Sequence, residues 1–213
     1  MDKNHSYFTG IVEYAKDRRI GNFSWGSISA RVLMNKGEFM FENELKTIPN
    51  PTIWLNIKIE YDGNKLKPSH QTILNNCTTN KYILVSGARI THFEKELKDE
   101  NDQVIPGAPK EVRYNLEATP GCVHFASKPY GNLNITILEG LVKEVKDNGQ
   151  MRLACPYISK QQIKEREVLV VNGSGHEPSL LGKNVFVAGS VFGKTPSRTD
   201  LVYVVSNSIQ IIK

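Results

Sequence analysis

Apolar and polar residues alternate along this chain in short runs broken by Gly, Pro and Asn, and the 3.6-residue spacing of an amphipathic helix is scarce. Alternation sends successive side chains to opposite faces of a strand, so the pattern predicts a mostly β protein. Strands are expected at Tyr7–Tyr14, Asn22–Leu33, Thr52–Tyr61, Tyr82–Phe93 and Val112–Ala118, with another at Cys122–Ala126. One short helix is expected at Pro68–Asn76, with Ser69 as the residue able to cap its first turn. Past the linker-like Pro129-Tyr130-Gly131-Asn132 a second set begins. It runs Ile135–Val145, a hairpin turn at Asn148-Gly149, Met151–Ile158, Val168–Val171, Asn184–Val191 and Leu201–Ile212.

The halves share local signatures in the same order. Gly10-Ile11-Val12 is followed by Lys16-Asp17, as Gly140-Leu141-Val142 is followed by Lys146-Asp147, and Lys81–Gly87 parallels Lys183–Gly189. Glycines at such points suit small barrels, whose tightly coiled strands need bulges and close backbone approach. The expectation is therefore an all-β chain of two related five-stranded barrels in tandem, residues 1–130 and 131–213, with the helix in the first.

Composition narrows the class without deciding the function. The 213 residues are 39% apolar and 23% charged, which excludes disordered, collagenous and disulfide-framework chains. No apolar run approaches the ~18 residues of a membrane span, and the opening Met1-Asp2-Lys3-Asn4-His5 does not read as a signal peptide, so a cytoplasmic chain with no membrane partner is expected. Cys77, Cys122 and Cys155 are far apart and fit buried apolar fillers better than a disulfide or zinc site. The histidines lack metal-ligand spacing, and phosphate-loop, nucleophile-elbow and dinucleotide motifs are missing. No enzyme, metal or cofactor is expected. The acidic, lysine-interleaved run Glu94–Asp102 fits a solvated hairpin loop. A net charge of +5 permits a polyanion partner, but it is spread over both halves, so an anion site has to be assembled by the fold.

The informative stretch is Thr52–Tyr61. Ile53, Leu55, Ile57 and Ile59 form a core face, which sends Trp54, Asn56 and Lys58 outward together. An outward indole beside a cation is a device for stacking an unpaired base above a phosphate contact. In Asn22–Leu33 the alternation puts Trp25 and Arg31 outward, whereas a bulge at Gly26 would turn Phe23 and Trp25 into the core. Tyr82–Phe93 has no purely polar face; Arg89, Phe93 and Lys95 are its ligand candidates. Lys16, Arg18 and Arg19 cluster after the first strand, where a barrel of this kind can grip a backbone.

These segments, in this order, resemble the OB-fold single-stranded DNA-binding proteins of bacteria and phages over residues 6 to 128. The resemblance is carried by Gly10, Asn22-Phe23-Ser24, Thr52–Ile57, the short helix, Val85–Arg89 and Val112–Glu117. It implies a non-enzymatic protein that coats single-stranded DNA in replication, recombination or repair, in a bacterial or phage-infected cell. Trp54 matches a base-stacking tryptophan of the family, Phe93 lies within about one residue of another stacking aromatic, and the family comparison favours a core position for Trp25. Replication or recombination proteins would be partners, and two chains would bring four barrels together as a homodimer. The chain departs from the family in ending Ser206–Lys213 within an expected strand rather than in an acidic tail. Its second half has no counterpart in the single-barrel proteins, and would extend the DNA path through Lys143, Lys160, Lys164, Arg166, Lys194 and Arg198. A scaffold built from the same barrels and an RNA-binding OB protein are the alternative readings.

Overall fold

The computed structural model describes residues 3–19, 24–63, 65–101, 103–193 and 202–212, with the backbone alone at 18 and 19. The chain folds as β1 (Asn4–Arg19), β2 (Trp25–Met34), β3 (Glu38–Phe41), β4 (Glu44–Thr47), β5 (Thr52–Asp62), β6 (Lys65–Leu66), α1 (Pro68–Asn76), β7 (Tyr82–Lys95), β8 (Glu111–Ala118) and β9 (Val123–Ala126). There follow β10 (Asn134–Val145), β11 (Gln150–Ser159), β12 (Gln162–Asn172), β13 (Asn184–Gly193) and β14 (Val202–Ile211). In the first half β1-β2-β5-β8-β7 closes back onto β1, and only the β5–β8 pair is parallel. In the second, β10-β11-β12-β14-β13 closes back onto β10, and only β12–β14 is parallel. The fold is all-β, two five-stranded barrels of one topology, and the helix lies in the first.

The short sequence signatures correspond to equivalent backbone events. A Cβ at Gly10 would lie 2.3 Å from the Leu33 carbonyl oxygen, and one at Gly140 would lie 2.4 Å from that of Ala154. Only glycine lets the first strand of each barrel coil this closely over the second. Register slips follow at Val12/Tyr14 and at Val142/Glu144. A further bulge differs between the barrels: in the first it leaves Gly87 of the fourth strand unpaired opposite Ser6/Tyr7, and in the second it leaves Asn207 of the fifth strand unpaired opposite Ala188/Gly189. Each first strand clasps the fourth through a buried asparagine. The Asn4 amide bonds both backbone groups of Ile90, and the Asn134 amide does the same with Val191.

The barrels join through their first strands. β1 pairs antiparallel with β10 in a register running Asn4↔Leu138, Ser6↔Thr136, Phe8↔Asn134. The Thr136 hydroxyl donates to Ser6 Oγ at 2.9 Å across 130 residues of sequence, the same offset that relates Asn4 to Asn134 and Gly10 to Gly140. The pairing is thus symmetric about the Ser6–Thr136 rung. The linker-like stretch is held in place: the Asn35 side chain donates to the carbonyls of Tyr130 and Gly131, and Thr9 N–H bonds the Leu133 carbonyl.

Ile53, Leu55, Ile57 and Ile59 are buried, as their alternation predicts, each worth ~1.5–3 kcal/mol. Several expectations change. The helix N-cap is Lys67 with Pro68 in the first turn, not Ser69, and no side chain caps it. Gly87, at φ +95°, switches the faces of β7: Ile83 and Val85 are buried before it, Ala88 and Ile90 after it. That bulge is why no single set of alternating residues there is polar. Gly26 causes no slip against β5, so Trp25 stays outward; Asn22 and Phe23 fall outside the described residues. Cys77 and Cys155 are buried, whereas Cys122 is only half-buried, its sulfur 3.2 Å from Thr119 Oγ1. The β3–β4 hairpin was not foreseen. It folds onto the second barrel, with Phe39 packing on Phe192 at 5.4 Å between ring centroids and Glu42 N–H bonding the Gly173 carbonyl at 2.6 Å.

Candidate nucleic-acid interface

The outer face of the first barrel is built from cross-strand rows. One row runs Tyr14–Arg31–Trp54 across β1, β2 and β5. Trp54 points outward as expected, but it is half-buried, edge-on to Tyr14 with centroids 6.1 Å apart. Its indole N–H is buried with no hydrogen-bond partner among the described residues. Arg31 Nε lies 3.0 Å from Glu13 Oε2, close enough for an ion pair although not aligned for a hydrogen bond.

The next row runs Lys16–Ser29–Asn56–Glu117–Arg89 over all five strands. The Ser29 hydroxyl donates to Asn56 Oδ1 at 2.7 Å, which fixes the amide orientation. Beyond it Ser27 sits opposite Lys58, whose ammonium meets Glu117 at 2.8 Å, and Trp25, 52% exposed, sits opposite Glu60. Phe93 projects from β7 beside Arg113 of β8 and is 43% exposed.

Lys16, Trp25, Asn56, Lys58 and Phe93 line one open groove of about 770 Å³ across the β2-β5-β8 face, with Asn115 and Glu117 contributed by β8. Two aromatic surfaces and several amide or hydroxyl groups therefore share one channel. The described charges lining it nearly cancel: Lys16 and Lys58 against Asp17, which accepts from the Tyr61 hydroxyl at 2.9 Å, and Glu117. The groove therefore offers aromatic faces and hydrogen-bonding groups rather than a strong net field. Arg31 lies outside this groove, on the Trp54 row. Arg89 lines a smaller adjoining pocket with Lys58. The side chains of Arg18 and Arg19 lie outside the described residues, as do Lys194 and Arg198.

Sequence reasoning missed Tyr14, Asn115 and Glu117. Tyr14 stands at the end of its expected strand and shows its role only through the register that brings it beside Arg31. Asn115 and Glu117 were legible as the outward set of Val112–Ala118, but the parallel β5–β8 pairing that sets them beside Asn56 was not.

The repeated barrel order, with one parallel pair in each and an aromatic groove across the second, third and fifth strands of the first, defines a tandem OB-fold protein. Among solved structures it matches the single-stranded DNA binding protein of Thermus aquaticus. A deletion mutant of that protein gives a TM-score of 0.65 at 12% identity, covering 99% of this chain and 94% of that one. The wild-type structure gives 0.60 at 11%, covering 99% and 93%. At such identities the likeness is one of fold. No protein-family profile and no curated protein matches the sequence.

Proposed function

We propose that this chain binds single-stranded DNA with little sequence preference and coats strands exposed in replication, recombination or repair. The observation carrying this reading is the groove on the β2-β5-β8 face, where Trp25 and Phe93 offer π-faces beside Asn56 and Lys58. The Tyr14–Arg31–Trp54 row offers a second stacking position with its own cation. Trp54 enters as a residue that turns: its indole N–H is buried without a hydrogen-bond partner among the described residues, a state costing ~1–3 kcal/mol, and rotation toward a stacked base would relieve it. The shared fold with a single-stranded DNA binding protein supports the same reading. In this reading residues 1–130 form the main DNA-binding unit and residues 131–213 the second barrel that extends it.

Oligothymidylate added at several salt concentrations should quench the tryptophan fluorescence, both tryptophans lying in the first barrel. Trp54→Ala should weaken binding by ~1–3 kcal/mol. Absent quenching, or an affinity indifferent to that substitution, sinks the proposal. Competition with a matched RNA oligonucleotide distinguishes DNA from RNA as the preferred strand.

A further inference from the structure

Between its aromatic surfaces the groove on the β2-β5-β8 face carries small polar side chains: Ser27 and Ser29 of β2, Asn56 of β5 and Asn115 of β8. Ser29 and Asn56 stand directly opposite each other in the β2–β5 register. Ser29 is only 3% exposed, whereas Asn56 is half-buried. An amide has one edge that accepts and one that donates, and the two edges differ in what they recognise.

The Ser29 hydroxyl sets which edge of Asn56 is available. It donates to Asn56 Oδ1 at 2.7 Å and has no other acceptor among the described residues. Turning the amide over would leave that hydroxyl hydrogen buried and unmet, so the amide is held one way round. Its Nδ2 is then the edge left over, with no partner among the described residues. The carboxylates of the groove do not offset this donor. Asp17 accepts from the Tyr61 hydroxyl on both oxygens at 2.9 Å, and Glu117 is bound to Lys58 at 2.8 Å. Asn115 has no comparable anchor among the described residues and can turn either edge to a ligand. The fixed hydrogen-bond polarity of the groove is thus that of a donor, and it belongs to Asn56.

We propose that Asn56 favours bases presenting a keto oxygen, the O4 of thymine or the O6 of guanine, over bases that present an amino group there, cytosine and adenine. Asn56 Nδ2 donates to the keto oxygen, whereas an amino group would meet it donor to donor. Ser29 is the positioning residue, acting through the amide it holds. The inference rests on the single-stranded DNA reading and adds a modest base preference at one position of the groove.

Stacking strength differs between bases and would mask one hydrogen bond, so the test compares two strands with the same ring. Affinity is measured for oligodeoxyuridylate and oligodeoxycytidylate of about 8 nucleotides, a length one barrel can hold, at slightly alkaline pH where cytosine is unprotonated. These bases differ at the 4-position and its neighbouring ring nitrogen, and neither carries a methyl group. Wild type should bind the uridylate roughly three- to tenfold more tightly, the share of one neutral hydrogen bond. Asn56→Leu should bring that ratio toward one. Asn56→Asp, which keeps the Ser29 bond and turns an acceptor into the groove, should reverse it, while its added charge weakens both strands alike. Ser29→Ala should lower the ratio by freeing the amide to turn. A merely structural disturbance weakens both strands together and leaves the ratio where it was, so the ratio separates the two effects. A wild-type ratio of one or below, or a ratio indifferent to the Asn56 substitutions, overturns the base preference and leaves the DNA reading standing. A ratio that survives Ser29→Ala overturns the positioning role. A wild-type chain that binds neither strand overturns the DNA reading, and the preference with it.

Discussion

Burial sets the chemistry of single side chains in this molecule as much as neighbours do. Cys77 sits in the core of the first barrel, and burial pushes its thiol up to about 12. In the unfolded chain the same thiol ionises near 9.0, so the folded state holds a proton that the unfolded state has lost between those values. The stabilisation is whole below about pH 9 and falls away as pH climbs toward 12. Denaturant titrations at pH 8 and pH 10 should therefore show a loss of stability at the higher pH that Cys77→Ser lessens. At pH 8 a thiol reagent should label the half-buried Cys122 well before Cys77 or Cys155. The outward direction of Trp54, Asn56 and Lys58 was legible because four alternating aliphatics declare the opposite face. The same logic left Trp25 open, since Gly26 could have broken the phase, and only the continuous β2–β5 register closes the question.

At the scale of the element, barrel curvature depends on places where a side chain is forbidden. Gly10→Ala would drive a methyl to 2.3 Å from the Leu33 carbonyl oxygen and Gly140→Ala to 2.4 Å from that of Ala154, backbone contacts that cannot swing away. Each substitution should cost ~1–3 kcal/mol and lower the midpoint of thermal unfolding. Gly121→Ala, where a Cβ meets nothing within 4 Å, should leave it near wild type. The glycine signatures were visible in the chain, and so was their repetition. The β3–β4 hairpin was not, because its strands are short and largely exposed, and their ordering comes from Phe39 meeting Phe192, a residue remote in sequence that packs in turn on Tyr203. The inner part of β12 was legible in Val168–Val171, but its charged extension, Gln162–Glu167, is strand only because β11 pairs with it.

For the whole molecule, the β1–β10 ladder, the Glu167–His92 bond and the docked β3–β4 hairpin tie the barrels at three separate places. Partial unfolding of one barrel would expose apolar surface of the other, so the barrels should melt together. Tryptophan fluorescence reports only the first barrel, whereas far-UV circular dichroism reports both. The two signals should trace one coincident denaturant curve, and separate midpoints would show the barrels to be independent.

The symmetric rung at Ser6 and Thr136 has a consequence for how the two faces can change. Two identical subunits joined this way are bound to carry the same residue at every equivalent place, so any gain at one ligand face is imposed on its twin. A single chain is released from that constraint. In this protein the β2-β5-β8 face is polar and open, while the equivalent β11-β12-β14 face presents Leu169, Val171, Tyr203 and Val205 to the hairpin lying across it. Within one polypeptide the two equivalent surfaces differ in fate: one is left open as a groove and the other is covered by the β3–β4 hairpin.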